Sequence, residues 1–154
     1  MTTLFTLLHL VAAIVWMGGM TFMLFALRPA ALLALDAQVR ARLMVQVWQR
    51  FFRLVLGAIV VLLATGGHLF GSGMKAFVAA GSSVPLGWTV MAALGVVMVL
   101  AFGHIQFAGF AQFKRAVAAA EWPQAAKAAG RIHTLVVLNF VLGWVAIAAI
   151  KLLH

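Results

Sequence analysis

Cysteine is absent from the chain, and Asp36 and Glu121 are its only acidic residues. Without cysteine the chain can form no disulfide, no thiolate metal site and no redox dithiol. Two acids also argue against paired-carboxylate catalysis and against a carboxylate site for a hard cation. The sequence contains no serine–histidine–acid set, phosphate-binding loop or metal-hydrolase motif. Classical hydrolytic chemistry is therefore not expected.

Charge of either sign is scarce, because charged residues make up 8% of the 154 residues and hydrophobic residues 66%. Soluble domains average about 25% charged residues. This composition predicts a membrane protein. The length allows one transmembrane domain, 1–154, with short connections and no separate soluble domain.

Four apolar runs are long enough to cross a bilayer, which takes about 20 residues per helix. They predict an all-α integral membrane protein, a four-helix up-and-down bundle. The first run lacks a basic region before it and continues to Leu27, so we interpret it as a retained helix and not a signal peptide. The predicted helices are 3–27, 51–71, 86–113 and 132–153, with basic connections at 28–50 and 114–131.

The basic residues indicate how the bundle is oriented in the membrane. Nine of the 11 lysines and arginines lie in or beside the connections 28–50 and 114–131. The positive-inside rule places both connections in the cytoplasm and both termini outside. The net charge of +9 therefore reflects topology and is compatible with contact with anionic lipid headgroups, and we expect no nucleic-acid partner.

The connections differ in character. Pro29, together with Asp36 placed four residues before Arg40, favours a helix that either extends the second span into the cytosol or lies along the membrane surface. The connection 72–85 is rich in glycine and serine, which predicts a loop. In the last connection we expect a short helix that ends at Gly130.

Each predicted span contains one histidine, and a fifth, His154, is expected at the headgroup level. At 1.5 Å per residue, the histidines fall into two layers roughly 20 Å apart. Histidine inside a membrane is costly, so a functional role is favoured over helix bridging alone. The outer layer contains His9 and His68, and the inner layer contains His104 and His133.

Two imidazoles at one depth are what a b-type haem requires, so the leading hypothesis is two stacked haems in the bundle. Trp16 would supply an aromatic wall, and Arg115 and Arg131 would pair with the inner propionates. This arrangement predicts electron transfer across the bilayer, or a haem-dependent membrane oxidoreductase, with a quinone or a redox protein as partner.

Copper is the second hypothesis. Met17 and Met20, with Met23 and His9, offer the thioether and imidazole ligands that suit Cu(I). A spacing of three residues drifts around a helix, however, and methionine is also ordinary packing in apolar cores. A third hypothesis is a non-catalytic assembly subunit, and a homodimer is compatible with all three.

Few polar residues lie deep in the spans. We expect Thr65 to bond to its own helix backbone. Gln106 and Asn139 are expected to bridge helices, or to bond to a propionate or to water.

A family resemblance follows from the first helix, where His9, Trp16-Met17-Gly18-Gly19 and Arg28-Pro29 stand in order. This pattern resembles the copper resistance D (CopD) family and the related HemJ-type protoporphyrinogen oxidases. The resemblance extends through LLATGGHLF and GWTVMAALGVVMVLAFGHIQF, over about two-thirds of the chain.

The two branches imply different functions. The HemJ-type branch implies haem b bound through His9, although the chain has GRIHTL where that branch carries an arginine and an Asn-Glu pair. The CopD branch implies copper handling. Either branch implies a multi-pass protein of the bacterial inner membrane.

Overall fold

The chain folds into four long helices and is all-α, as predicted. The computed structural model describes residues 2–153, so His154 lies outside the described residues. No strand occurs within this range. Each helix is long and apolar enough to cross a membrane, and the chain is a multi-pass membrane protein. The helices are α1 (Thr2–Ala34), α2 (Ala37–Ala79), α3 (Leu86–Ala118) and α4 (Trp122–Leu152).

The helices form two closely packed antiparallel pairs, α1 with α2 and α3 with α4. The backbone N–H of Gly87, at the start of α3, donates to the carbonyl of Leu153, just after the end of α4, at 3.0 Å. Most of the large apolar side chains on the outer faces of the bundle are exposed, as expected for contact with lipid tails. The end that carries the arginine-rich turns is called the basic end below.

The helix boundaries differ from the predicted ones. The predicted connections 28–50 and 114–131 are helical apart from short breaks, so the predicted spans lie inside longer helices. The helix predicted to end at Gly130 instead runs on without interruption to Leu152. A lone glycine costs a helix only about 1 kcal/mol, which the packing of α4 against α3 can offset. The predicted loop 72–85 is shorter, because α2 continues to Ala79.

Two π-helical segments interrupt the regular winding, Met23–Leu27 in α1 and Ile105–Gly109 in α3. In the first, the N–H of Arg28 donates to the carbonyl of Met23, five residues earlier. This wider turn directly precedes Pro29, which has no N–H to donate. The helix therefore passes through Arg28-Pro29 and does not end there.

Aromatic side chains fill the core near the basic end. Phe52 is 2% exposed and meets Phe102 and Phe110 edge to face, with ring centroids 5.8 and 5.3 Å away. Trp48 stacks on Phe52 and meets Phe113 edge to face at 4.8 Å. The cluster joins α2 to α3 and closes the two pairs into one bundle.

Candidate functional site

His9 is held in one orientation by α2. Its Nδ1 lies 2.9 Å from the Thr65 hydroxyl, which donates its own proton to the Val61 carbonyl at 2.6 Å. The hydroxyl has only one proton, so the His9 Nδ1–H must be the donor to Thr65. His9 Nε2 then keeps its lone pair, and in this form imidazole can bind a metal. The predicted bond from Thr65 to its own helix is confirmed.

The two helices touch directly at the level of His9. A Cβ at Gly66 would lie 2.9 Å from His9 Cε1, so the imidazole lies against the backbone of α2. His68 lies further along α2, is exposed, and stacks on Phe5 with ring centroids 4.3 Å apart. This packing does not fit a porphyrin between α1 and α2.

The inner histidines also have different surroundings. His104 is exposed on α3, immediately before the second π-helical segment, whereas His133 lines a cavity at the basic end. Within the described part of the chain, no three histidine or acidic side chains gather closely enough to hold a metal ion. Haem binding stays a prediction. The check is a Soret band in protein purified after haem-sufficient expression.

The cavity at the basic end has a volume of about 270 Å³. Arg28 and Arg40 give it a cationic lining, His133 adds an imidazole, and Met23 and Met44 lie among its apolar walls. Arg40 also donates from Nη1 to the Leu35 carbonyl at 3.0 Å, which fixes its side chain beside the turn between α1 and α2. The cavity therefore joins the polar groups of the basic end to the apolar core of the bundle.

Arg115 and Arg131, the predicted propionate partners, lie elsewhere. Both are exposed and neither lines the cavity. Arg115 donates from Nε to the Ala111 carbonyl of its own helix at 3.3 Å. The arginines that line the cavity are Arg28 and Arg40, which were not among the predicted site residues.

Buried methionines from three helices contribute to the core. They belong to one core cluster with Trp16, which is 5% exposed and meets Phe102 edge to face at 6.2 Å. Met17 is half-buried and packs against this cluster. The buried members are Met20 (2% exposed), Met23 (8%), Met44 (8%) and Met98 (5%).

Asn139 joins α4 to α3, as predicted. Its Nδ2 donates to the Met98 carbonyl at 3.1 Å, and the residue is 1% exposed. Its Oδ1, like Oε1 of Gln106, is buried and has no hydrogen-bond partner among residues 2–153. A side-chain amide in the middle of an apolar run indicates from the sequence that a buried hydrogen bond is needed. The acceptor lies 41 residues away, and only the packing of the helices determines which residue it is.

The buried Met98 and part of the cavity lining lie in the part of the chain that matches a known family, whereas Met20, Met23 and Met44 precede it. Residues 45–153 match the family model described as copper resistance protein D. The match begins after α1, so it is independent of the His9–Trp16 pattern. No curated protein and no solved structure gives a match. Because the match covers over two-thirds of the sequence, the chain belongs to the copper resistance protein D family.

Proposed function

We propose that this protein carries copper(I) through the membrane along the methionines in its interior. The observation that carries the proposal is the burial of Met20, Met23, Met44 and Met98 in one core cluster. Thioether sulfur is a soft ligand that suits Cu(I). Membership of the copper resistance family supports the choice of copper over another soft cation.

The candidate ligands span much of the length of the bundle. His9 lies eight residues before Met17 on α1, or about 12 Å along the helix axis, and Met23 is about 9 Å further towards the basic end. Met23 and Met44 then border the cavity that contains His133. Copper could thus pass from an imidazole to thioethers and on to a cavity near the surface.

The ligands are uncharged, which suits a protein that passes Cu(I) on better than one that stores it. Thioethers and neutral imidazole leave the single charge of Cu(I) uncompensated, so each site binds it weakly. Passage through a membrane requires sites that bind well enough to admit an ion and weakly enough to release it. The two acidic residues of the chain contribute no side chain to this set.

The test compares copper content in bacterial cells that produce wild-type protein, variants or no protein. Met→Leu substitutions keep the side-chain volume and cost less than about 1.5 kcal/mol. We expect Met20→Leu/Met98→Leu and Met23→Leu/Met44→Leu to return cellular copper, measured by mass spectrometry, to the level of the empty vector.

Met74→Leu is the matched control, because Met74 is exposed and lies outside the core cluster. It should leave copper content at the wild-type value when the protein is produced at equal amounts. Wild-type copper content in both double variants would overturn the proposal and favour plain packing as the role of the methionines.

A further inference from the structure

The side-chain oxygen of Asn139 is buried near the middle of the bundle, and no described residue forms a hydrogen bond with it. The amide orientation is fixed, because Nδ2 must face the Met98 carbonyl to which it donates. Oδ1 therefore faces away from that carbonyl, and no group within residues 2–153 donates to it. A polar group unsatisfied in the hydrocarbon region costs several kcal/mol. Such a group calls for an explanation, and a bound ligand provides one.

Two methionine side chains meet at Gly143, which lies one helical turn along α4 from Asn139. Gly143 follows Asn139 by four residues and lies on the same face of α4. The Met17 sulfur occupies the space that a Cβ at position 143 would take, and Met98 Cε comes within 3.2 Å of the same point. Gly143 is buried, so its missing side chain is what lets Met17 of α1 reach the contact between α3 and α4.

We propose that Met17, Met98 and Asn139 form a cation site for Cu(I) at the middle of the bilayer. The two sulfurs provide the preference for a soft ion, and Oδ1 turns its negative end towards the charge. The hydrogen bond to the Met98 carbonyl holds the amide in that orientation. The inference rests on the proposed function and assigns it a defined binding site.

The site accounts for three features that packing alone leaves separate. A bound cation would be the missing partner of the buried Asn139 oxygen. It would explain why position 143 is a glycine, which leaves room for Met17. It would also explain why a polar residue of an apolar helix faces the interior of the bundle. Polar side chains within membrane helices typically face the interior and mark the paths of ions. All three ligands are neutral, which suits an ion in transit.

The test measures Cu(I) binding to the detergent-purified full chain by equilibrium dialysis, with the ion kept reduced by ascorbate. We expect Asn139→Leu, which removes the oxygen ligand, to weaken Cu(I) binding by at least about 10-fold, the lower end of the loss seen when a group that only supports a ligand is removed. Met17→Leu and Met98→Leu should weaken binding at least as much. Met74→Leu is the control and should bind as the wild type does.

X-ray absorption at the copper edge provides a readout that does not depend on affinity. The wild type should show two sulfur neighbours, and Met17→Leu or Met98→Leu should show one. If Asn139→Leu does not fold, the sulfur count in these two volume-conserving variants decides the proposal.

The outcomes separate this site from the wider function. Unchanged binding and an unchanged sulfur count in all three variants, with copper content still dependent on the other methionines, would overturn the site alone. Binding at the site without any effect on cellular copper would overturn the transport function alone. A wild-type chain that binds no Cu(I) would overturn both, and would leave a buried water as the partner of Asn139.

Discussion

Replacing Gly87 with alanine is expected to lower the thermal stability of the protein markedly. The added Cβ would lie 2.6 Å from the Leu153 carbonyl oxygen and closer still to that of Ala149. Both obstacles are backbone atoms, so α3 and α4 must separate. The move would also stretch the Gly87–Leu153 hydrogen bond. Overpacking costs about 1–3 kcal/mol, and a lost hydrogen bond adds about 1 kcal/mol.

The measurement is the melting temperature of detergent-purified protein, followed by loss of the monodisperse peak in size-exclusion chromatography. In a chain of this size about 1 kcal/mol corresponds to roughly 2–4 °C in Tm. We expect a fall on the order of 5 °C or more.

Gly95→Ala is the matched control on the same helix. Apart from the nearby backbone of α3 itself, a Cβ there has no described atom within 4 Å. Alanine stabilises a helix by about 0.5–1 kcal/mol relative to glycine, so the control should melt at the same temperature or higher. Equal melting temperatures for Gly87→Ala and Gly95→Ala would contradict the close approach of α3 and α4.

The number and class of the helices could be predicted because apolar length is a local property of the sequence. Their ends could not. Pro29 and Gly130 are ordinary breaking signals, yet both lie inside helices in the structure. The backbone is wound more widely in the π-helical segment before Pro29, and the helix continues through this residue although it has no N–H to donate. At Gly130 the packing of α4 offsets the cost of a glycine inside a helix. A change in local backbone winding decides the first position and tertiary packing decides the second, and neither can be predicted from the sequence pattern.

The site was predictable in its residue types but not in its geometry. A histidine in each span and the repeated methionines of α1 are visible in the sequence. The acceptor of His9 lies 56 residues away, at Thr65, and the contact of Asn139 with Met98 crosses between helices. A spacing of three residues drifts around a helix, but the bundle buries Met20 and Met23 because neighbours approach α1 from several sides.

Replacing Phe52 with alanine is expected to have the second large effect on stability. Phe52 is 2% exposed and its ring contacts the rings of Trp48, Phe102 and Phe110. Its removal would leave a cavity where α2 meets α3, at a cost of about 3–5 kcal/mol. Lipid tails are as apolar as the side chains, so the hydrophobic effect does not drive membrane helices together. Packing contacts hold them instead, and the substitution removes such contacts. The check is the same melting measurement.

Phe107→Ala is the matched control, because it removes an exposed aromatic ring where Phe52→Ala removes a buried one. Phe107 is 74% exposed and belongs to the same apolar helix, α3, that Phe52 packs against. Its removal should change Tm little, because lipid or detergent fills the space. If Phe107→Ala lowered Tm as much as Phe52→Ala, the exposed face of α3 would be covered in solution, and a second copy of the chain would be the first partner to test. If neither variant lowered Tm, the aromatic cluster would not be what joins the two helix pairs.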